Sequence, residues 1–537
     1  MGIAGLDDKT AELNHDMLGL DAYRQTRKYH LRWWALAVLS VSLVIIGLDN
    51  TILNVAIPTI QTQLSASASE LQWMVDSYVL VFAGLLLTMG ALGDRFGRKL
   101  TLQLGLVIFG ISSFFAAYSG SSTQLIIARG LMGVGGALIM PSTLSIITDV
   151  FPREERGKAI GVWTGMAAVG IAVGPALGGW LLEHFWWGSV FLINIPVVIF
   201  ALLAGLLLVP GSRAHLPPKL DIPGSFLSIA TLFSLVYAII EAPSRGWLDP
   251  LVIAAFALAL ALGAAFAMQE LRAEHPMLEL SFFRNPRFST GVAAITIAFF
   301  ALFGQIFIVT QYMQFVHGYS ALEAGIRITP FAFGMMVGAA NSHRLVRRIG
   351  TNKTVALGLT ILAVLLASLS LWSVETPYWI IGISIVFMSF GIANTMAPST
   401  DAVMGAVPLA KAGVGSAMND TTRQVGGAFG IAIIGSILNS IYTSNMAGNV
   451  AGLPPGAADA ARNSVGAALQ VSHQIGGPAG EALAASARNT FTDAMGWGFL
   501  AAAIIAFLGA VAILKYMPAR HLGGPDHAGG ADQLKEE

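Results

Sequence analysis

Cysteine is absent from all 537 positions. Disulfides, thiolate metal sites and cysteine nucleophiles are therefore excluded. Charge is scarce: Asp, Glu, Lys and Arg make up 11% of the chain, against about 25% in soluble proteins. The formal net charge is zero, so nothing points to a nucleic-acid partner. The ten histidines are scattered, and none belongs to an H-E-x-x-H pair. No phosphate loop is found. The nearest approach, "PREERGKA" at 152–159, has Pro152 in place of the first glycine and Ala159 where Ser or Thr should follow the lysine. No nucleophile–base set or group of metal ligands can be assembled. These absences leave no catalytic centre, metal or cofactor to expect, and they disfavour an enzyme.

What the chain has is apolar side chain: 55% hydrophobic residues and a mean hydropathy of +0.69. A membrane span needs about 20 such residues. Fourteen stretches qualify, near 33–57, 72–92, 100–118, 124–149, 158–182, 190–209, 221–241, 250–270, 288–315, 321–341, 352–372, 378–400, 411–439 and 493–516. Without barrel-like alternation, only helices satisfy the backbone of such runs, so an all-α membrane protein is expected. The first 32 residues carry charge without an apolar core. That is unlike a cleaved signal peptide and suits a solvated tail.

Loop charge gives an orientation. With the N-terminus in the cytoplasm, tails and cytoplasmic loops take 24 of the 30 Lys and Arg. External loops take Arg245, Arg462 and Arg488, and Arg129, Arg327 and Arg423 fall inside spans. This is a positive-inside pattern. It predicts an inner-membrane protein with both tails, 1–32 and 517–537, in the cytoplasm. The expected divisions are a six-helix half at 33–209, two inserted helices at 210–275 and a second six-helix half at 276–516. An external loop at 440–492, whose weakly amphipathic pieces near 457–471 and 478–492 suit short surface helices, is expected as a solvated cap, with a gating or substrate-recruiting role as the alternative. A basic loop follows the second span of each half: "GALGDRFGRKL" at 90–100 and "NSHRLVRRIGTNK" at 341–353. Repeated halves around a midplane site are the plan of secondary transporters.

Three features point to mechanism. The loop at 90–99 combines Gly90 and Gly97 with Asp94, Arg95, Arg98 and Lys99. Anchoring explains the cations but not the aspartate or the glycines, so a gate latch is expected, in which Asp94 pairs with arginines or caps a helix. The second copy lacks the aspartate, which makes any latch asymmetric. Span five carries "GIAVGPALGG", with Gly170, Gly174, Pro175, Gly178 and Gly179. Small residues four apart permit close helix approach, and the proline frees a carbonyl and can bend the helix. Static packing and a pivot are both open for it.

The third feature is charge inside spans. Asp49, in "IGLDNTILNVAIP" at 46–58, lies 16 residues beyond Trp33. That is roughly 24 Å at about 1.5 Å per residue, past the middle of a core about 30 Å thick. Asp76 and Arg129 come to similar depth in spans two and four, so the three are expected to line one cavity. Burial favours the neutral acid and a nearby arginine the anion. Asp49 therefore reads either as a structural partner of Arg129 or as a proton carrier, and the two are compatible. Asp76 reads as a second carboxylate or an interfacial residue. In span thirteen, Asp420 and Arg423 are three residues apart and can pair locally. Glu323 and Arg327 read as a plain ion pair. Gln305, Gln311, Gln314 and Asn394, with Phe303, Phe307, Tyr312 and Met313, are expected to line an amphipathic pocket for varied apolar ligands.

The motifs also carry a resemblance. "LDNTILNVAIPTI", "LQWMVDSYVL", the 90–99 loop, "ARGLMGVGGALIMPS", the Gly-Pro motif and "FLINIP" at 191–196 occur in this order along nearly the whole chain. Together they resemble the major facilitator superfamily, and within it the fourteen-span drug:proton antiporters. The resemblance implies that superfamily's fold and export of hydrophobic, often cationic compounds driven by inward proton flow. It associates the Gly-Pro motif with antiport and places an acidic residue at Asp420 that matters for some substrates. One departure is "WWGSVF" at 186–191, where many relatives have an arginine after the tryptophan. Small molecules, protons and membrane lipids are the expected partners, and a monomer the expected state. An exporter of one endogenous lipid or metabolite is the rival within transport, and a non-transporting sensor on the same fold the rival outside it.

Overall fold

The structure, a computed structural model, describes residues 27–211, 221–273, 276, 278–407 and 412–519. Residues 1–26 and 520–537, most of the two expected tails, lie outside the described residues. The helices are α1 Arg27–Leu64, α2 Ala68–Phe96, α3 Arg98–Ala117, α4 Ser122–Val150, α5 Arg153–His184, α6 Ser189–Leu192, α7 Asn194–Leu208, α8 Ile222–Arg245 and α9 Pro250–Arg272. They continue with α10 Pro286–Gln311, α11 Ala321–Ile328, α12 Pro330–Ile349, α13 Thr351–Leu369, α14 Tyr378–Gly405, α15 Ala412–Met446, α16 Pro455–Asn463, α17 Val465–Ile475 and α18 Gly477–Tyr516. Among the described residues there is no strand. Polar residues set the helix starts. Ser67 and Glu70 form a capping box on α2, and Ser320 and Glu323 do so on α11. Asn285 caps α10 just before Pro286.

Among the described residues, eleven helices are long and apolar enough to cross a membrane, or twelve if α2 is one span with a 53° bend. Fourteen were expected. The difference lies in α5 and α12, with 32 and 20 residues. α5 opens on the charged "REERGK", and α12 ends in "NSHRLVRRI".

The helices form two groups. In the first, α1 packs on α5 and α7, and α4 on α2 and α3. In the second, α10 packs on α14 and α15, α12 on α14, and α13 on α14 and α18. The described chain enters and leaves on one side. There Arg32 pairs with Glu155 at 2.7 Å, and Thr351 N donates to the Ala519 carbonyl oxygen at 3.0 Å. On this tail side, α2 passes into α3 through Gly97 alone, at φ +117°, and α12 into α13 through Gly350 alone, at φ +88°. These are left-handed positions that favour glycine. The two basic segments noted in the sequence thus adopt one hinge, repeated.

On the far side the groups are joined by α2 against α15 and by α5 against α11. Gln72 Nε2 donates to the Ile431 carbonyl at 3.0 Å, and Gln314 Nε2 to the Val55 carbonyl at 2.9 Å. Ser320 Oγ donates to Glu183. The 440–492 segment carries the expected short helices in its first piece and departs from expectation in its second. The 457–471 piece is two helices, α16 and α17, and the 478–492 piece is the start of the 40-residue α18. The cap is seated rather than merely solvated: Gln61 Nε2 donates to Ser464 Oγ at 2.6 Å and Gln470 Nε2 to the Thr62 carbonyl at 3.1 Å. Val465, Ala468 and Val471 are buried.

The pair α8–α9 lies beside the α2–α15 seam, with α8 touching both helices. Pro243 lies inside α8 and has no N–H, so the Ile239 carbonyl loses its helical donor. Ser436 Oγ of α15 donates to it at 2.7 Å. Ser69 Oγ of α2 donates to the next carbonyl, Ile240, at 3.3 Å, and Trp73 Nε1 donates to Glu241 at 3.2 Å.

Candidate functional site

Asp49 and Arg129 meet inside the first group. Their side chains are 0% and 1% exposed, and Nη1 donates to Oδ2 at 2.5 Å. Arg129 Nε donates to the Met74 carbonyl at 3.1 Å, and the guanidinium lies over the Tyr78 ring, 4.4 Å from its centroid. The other carboxylate oxygen, Asp49 Oδ1, accepts no hydrogen bond. A guanidinium so deep costs several kcal/mol unless it is paired, so each partner holds the other in place.

The α5 motif builds this pocket's wall. Gly170, Gly174 and Gly178 recur every fourth residue and meet α1 at Val44, Leu48 and Ile52, around Asp49. A Cβ on Gly170 would stand 2.6 Å from the Val44 carbonyl oxygen. Gly179 faces the other way, where a Cβ would stand 2.5 Å from the Ala321 carbonyl oxygen of α11. α5 is therefore gripped between α1 and α11, one helix from each group.

Asp76 is not part of the Asp49–Arg129 contact. It is 0% exposed, and neither of its carboxyl oxygens has a hydrogen-bond partner. Helix rotation explains the separation from its neighbours. Met74 and Tyr78, one turn apart, turn to Arg129. Gln72 and Asp76, also one turn apart, share the stripe from which Gln72 reaches α15. The expected three-residue cavity is a close pair plus a solitary acid on another face of α2.

In the second group, Arg423 Nη1 lies 3.5 Å from Asp420 Oδ1, and Nη2 donates to Thr400 Oγ1 at 3.4 Å. The guanidinium lies 5.7 Å from the Phe299 ring centroid, and Phe299 stacks on Phe303. This charged, aromatic corner lies eight residues into α15 from the tail side. The expected amphipathic pocket is divided. Phe303 packs at Gly427 of α15. Gln305, two residues on, lines a small cavity with Ile328 and Phe331 near α12 and Ile385 of α14. Phe307 is buried, Gln311 Nε2 donates back to its carbonyl, and Asn394 Nδ2 donates to the Phe390 carbonyl. Glu323 and Arg327 pair at 3.5 Å, as expected.

At the 90–99 loop, Arg98 Nε donates to Asp94 at 2.7 Å and Nη1 to the Ser145 carbonyl of α4 at 3.1 Å. Arg95 is exposed and reaches over Phe96, Lys99 Nζ donates to the Leu206 carbonyl at 2.8 Å, and Gly90 faces Pro141. These contacts tie the expected loop, which is helical except at Gly97, to α4 and α7 of its own group. Sequence reading passed over Tyr78 and Gln72, although both stand in "LQWMVDSYVL" beside Asp76. The available signal was their four-residue spacing from positions that face different neighbours.

His317 was also passed over. It follows α10 on the far side, outside the spans, stacks on Tyr319 with 5.3 Å between centroids and meets Tyr312 edge-on at 4.8 Å. Burial first, and Arg327 second, hold its pKa below the ordinary histidine value. A folded pKa below the unfolded one gives stability that is complete above about pH 6.5 and is lost as pH falls. His317→Phe keeps a ring but cannot charge. Its thermal unfolding should show a smaller acid-side loss than the parent's between about pH 7 and pH 5. Equal losses would mean that His317 does not contribute.

A family model described as Major Facilitator Superfamily matches residues 39–431. The chain is 33% identical over 496 residues to the tetracenomycin C resistance and export protein of Streptomyces glaucescens, covering 90% of this chain and 91% of that one. It is 35% identical to the multidrug efflux pump LfrA of Mycolicibacterium smegmatis, covering 91% and 97%. It is 34% identical to the methyl viologen resistance protein SmvA of Salmonella typhimurium, covering 86% and 93%. Among solved structures, a bacterial homolog of the human lysosomal transporter Spinster, inward-facing and unoccupied, shares the fold with a TM-score of 0.61 at 20% identity, over 91% of this chain and 98% of that one.

Proposed function

The chain belongs to the major facilitator superfamily, and on that premise we propose that it exports hydrophobic, often cationic compounds across the cytoplasmic membrane in exchange for protons. It is a transporter and not an enzyme, as its relatives are. Export is supported by relatives named for drug resistance or efflux. The tail side is the cytoplasmic side, by the positive-inside count. In that orientation the chain makes fourteen spans, two six-helix halves with α8 and α9 inserted.

Proton coupling rests on Asp76. A buried carboxyl without a partner is costly as an anion and tolerable as the neutral acid. It can therefore carry a proton that it must give up once water reaches it. The Asp49–Arg129 pair supports that exchange without carrying the proton. It sets the field beside that site and keeps α1 and α4 together. The far-side contacts correspond to an arrangement closed to the outside, with Asp76 protonated and awaiting release to the cytoplasm. Substrate enters from the tail side towards Asp420, Arg423, Phe299 and Phe303, where a carboxylate and rings suit a flat cation. The Gly97 and Gly350 hinges take up the movement, and the Asp94–Arg98 contact reforms with each cycle.

A single-compound exporter is the second reading, favoured by relatives named for one antibiotic, such as tetracenomycin C and methylenomycin A. Inside-out vesicles with an acid lumen test both. Adding methyl viologen should release luminal protons, and an uncoupler should abolish drug accumulation. Drug accumulation that ignores the uncoupler would refute proton exchange. Proton release with one compound of a broad panel, and with no other, would favour the second reading.

A further inference from the structure

We infer that Thr51 is a positioning residue for Asp49, held by a socket that Gly174 and Pro175 form in α5. The inference rests on the reading that the Asp49–Arg129 pair serves proton exchange. Pro175 has no N–H, so the Ile171 carbonyl, four residues earlier, lacks its helical donor. Thr51 Oγ1 lies 3.2 Å from that oxygen. The hydroxyl also has the Leu48 and Gly47 carbonyls of its own helix at 3.2 and 3.4 Å. Those two already receive the N–H groups of Ile52 and Thr51 in the regular α1 ladder. Ile171 has no such donor, so the single hydroxyl hydrogen does most there. Gly174 supplies the room, because the Thr51 hydroxyl occupies the space that a Cβ would take.

One residue of the motif thus provides an empty acceptor and its neighbour the space to reach it. Thr51 is 5% exposed and two residues from Asp49. A slip of α1 by one residue would move Asp49 about 1.5 Å along the axis and about 100° around it, taking Oδ2 away from Arg129. The socket fixes α1 against α5 where that contact needs it. It also explains why glycine and proline stand side by side at 174 and 175, since neither alone would seat the hydroxyl.

The test is a cycle of Thr51→Val and Pro175→Ala, with Thr51→Ser and Asp49→Asn alongside, read by thermal unfolding and by the pH profile of drug-driven proton release in vesicles. Thr51→Val orphans the Ile171 carbonyl and should slow exchange about tenfold, with a displaced pH midpoint. Thr51→Ser keeps the hydroxyl and should stay within about twofold of the parent. Pro175→Ala restores an N–H to Ile171, so in that background Thr51→Val should cost less than about twofold. An equal penalty in both backgrounds would overturn the socket. Lost stability with an unmoved pH midpoint would overturn the positioning role. Parental exchange by Asp49→Asn would instead overturn the reading of Asp49, while non-additive unfolding temperatures would still report the socket.

Discussion

Asp76→Asn should abolish drug-driven proton release while leaving the protein folded and able to bind drug. Asn matches Asp in shape, and no partner is lost, because neither carboxyl oxygen has one. The amide is as neutral as the protonated acid proposed for the site. The unfolding temperature should therefore stay within about 2 °C of the parent's, since the substitution removes no ion pair and opens no cavity. What disappears is the ability to take up and release a proton. The contrast is Asp49→Asn, which leaves a guanidinium 1% exposed and uncompensated, a change that costs about 3–5 kcal/mol when a buried pair is broken. That variant should lose stability along with exchange, so it is the poorer probe of proton transfer. The measurement is luminal pH in inside-out vesicles after methyl viologen addition, beside a binding titration in detergent. Proton release by Asp76→Asn at the parental rate would assign the carrier elsewhere.

The second large effect is expected at Gly179. A Cβ there meets the backbone at the start of α11, standing 2.5 Å from the Ala321 carbonyl oxygen and 2.6 Å from Leu322 N. Backbone in a helix start cannot swing away as a side chain can, so α5 and α11 must separate. Overpacking of this kind costs about 1–3 kcal/mol, and it falls on the contact that closes the far side. Gly179→Ala should therefore slow exchange at least about tenfold, the equivalent of about 1.4 kcal/mol, and favour the arrangement open to the outside. Gly165 lies in the same helix with nothing within 4 Å of an added Cβ. Gly165→Ala should leave exchange near the parental rate and raise stability slightly, because Ala is favoured over Gly in a helix by about 1 kcal/mol. Transport assays on both variants decide it. Similar rates for the two would mean that α5–α11 contact is not what closes the far side.

The helices and their order were legible because apolar runs without alternation have one backbone solution in a membrane. Asp49 and Arg129 were legible as a pair because buried opposite charges at matching depth have little else to do. Helix rotation was not. Asp76 and Tyr78 are two residues apart and face different helices. Phe303 and Gln305 are likewise divided between the α15 side and the α12–α14 side. Depth arithmetic fixes height along a helix and says nothing about azimuth, which depends on packing against partners distant in sequence. The seating of the cap was not legible for a related reason. Its Ala- and Gly-rich pieces look weakly amphipathic alone, yet Val465 and Ala468 are buried once Gln61 and Gln470 tie the segment down. The hydroxyl–carbonyl contacts at Pro175 and Pro243 were invisible because a proline announces which acceptor is freed but not which helix supplies the donor.

The contacts of α8 bear on how this architecture can be altered. Excising α8 and α9 would strip Ser69 and Ser436 of their acceptors and leave the Trp73 indole without Glu241. In the folded molecule α8 is a shared wall of α2 and α15, one helix from each group. A chain without α8 and α9 would have to change at positions 69, 73 and 436 together, so these three should vary freely in chains that lack the pair and be constrained in those that have it.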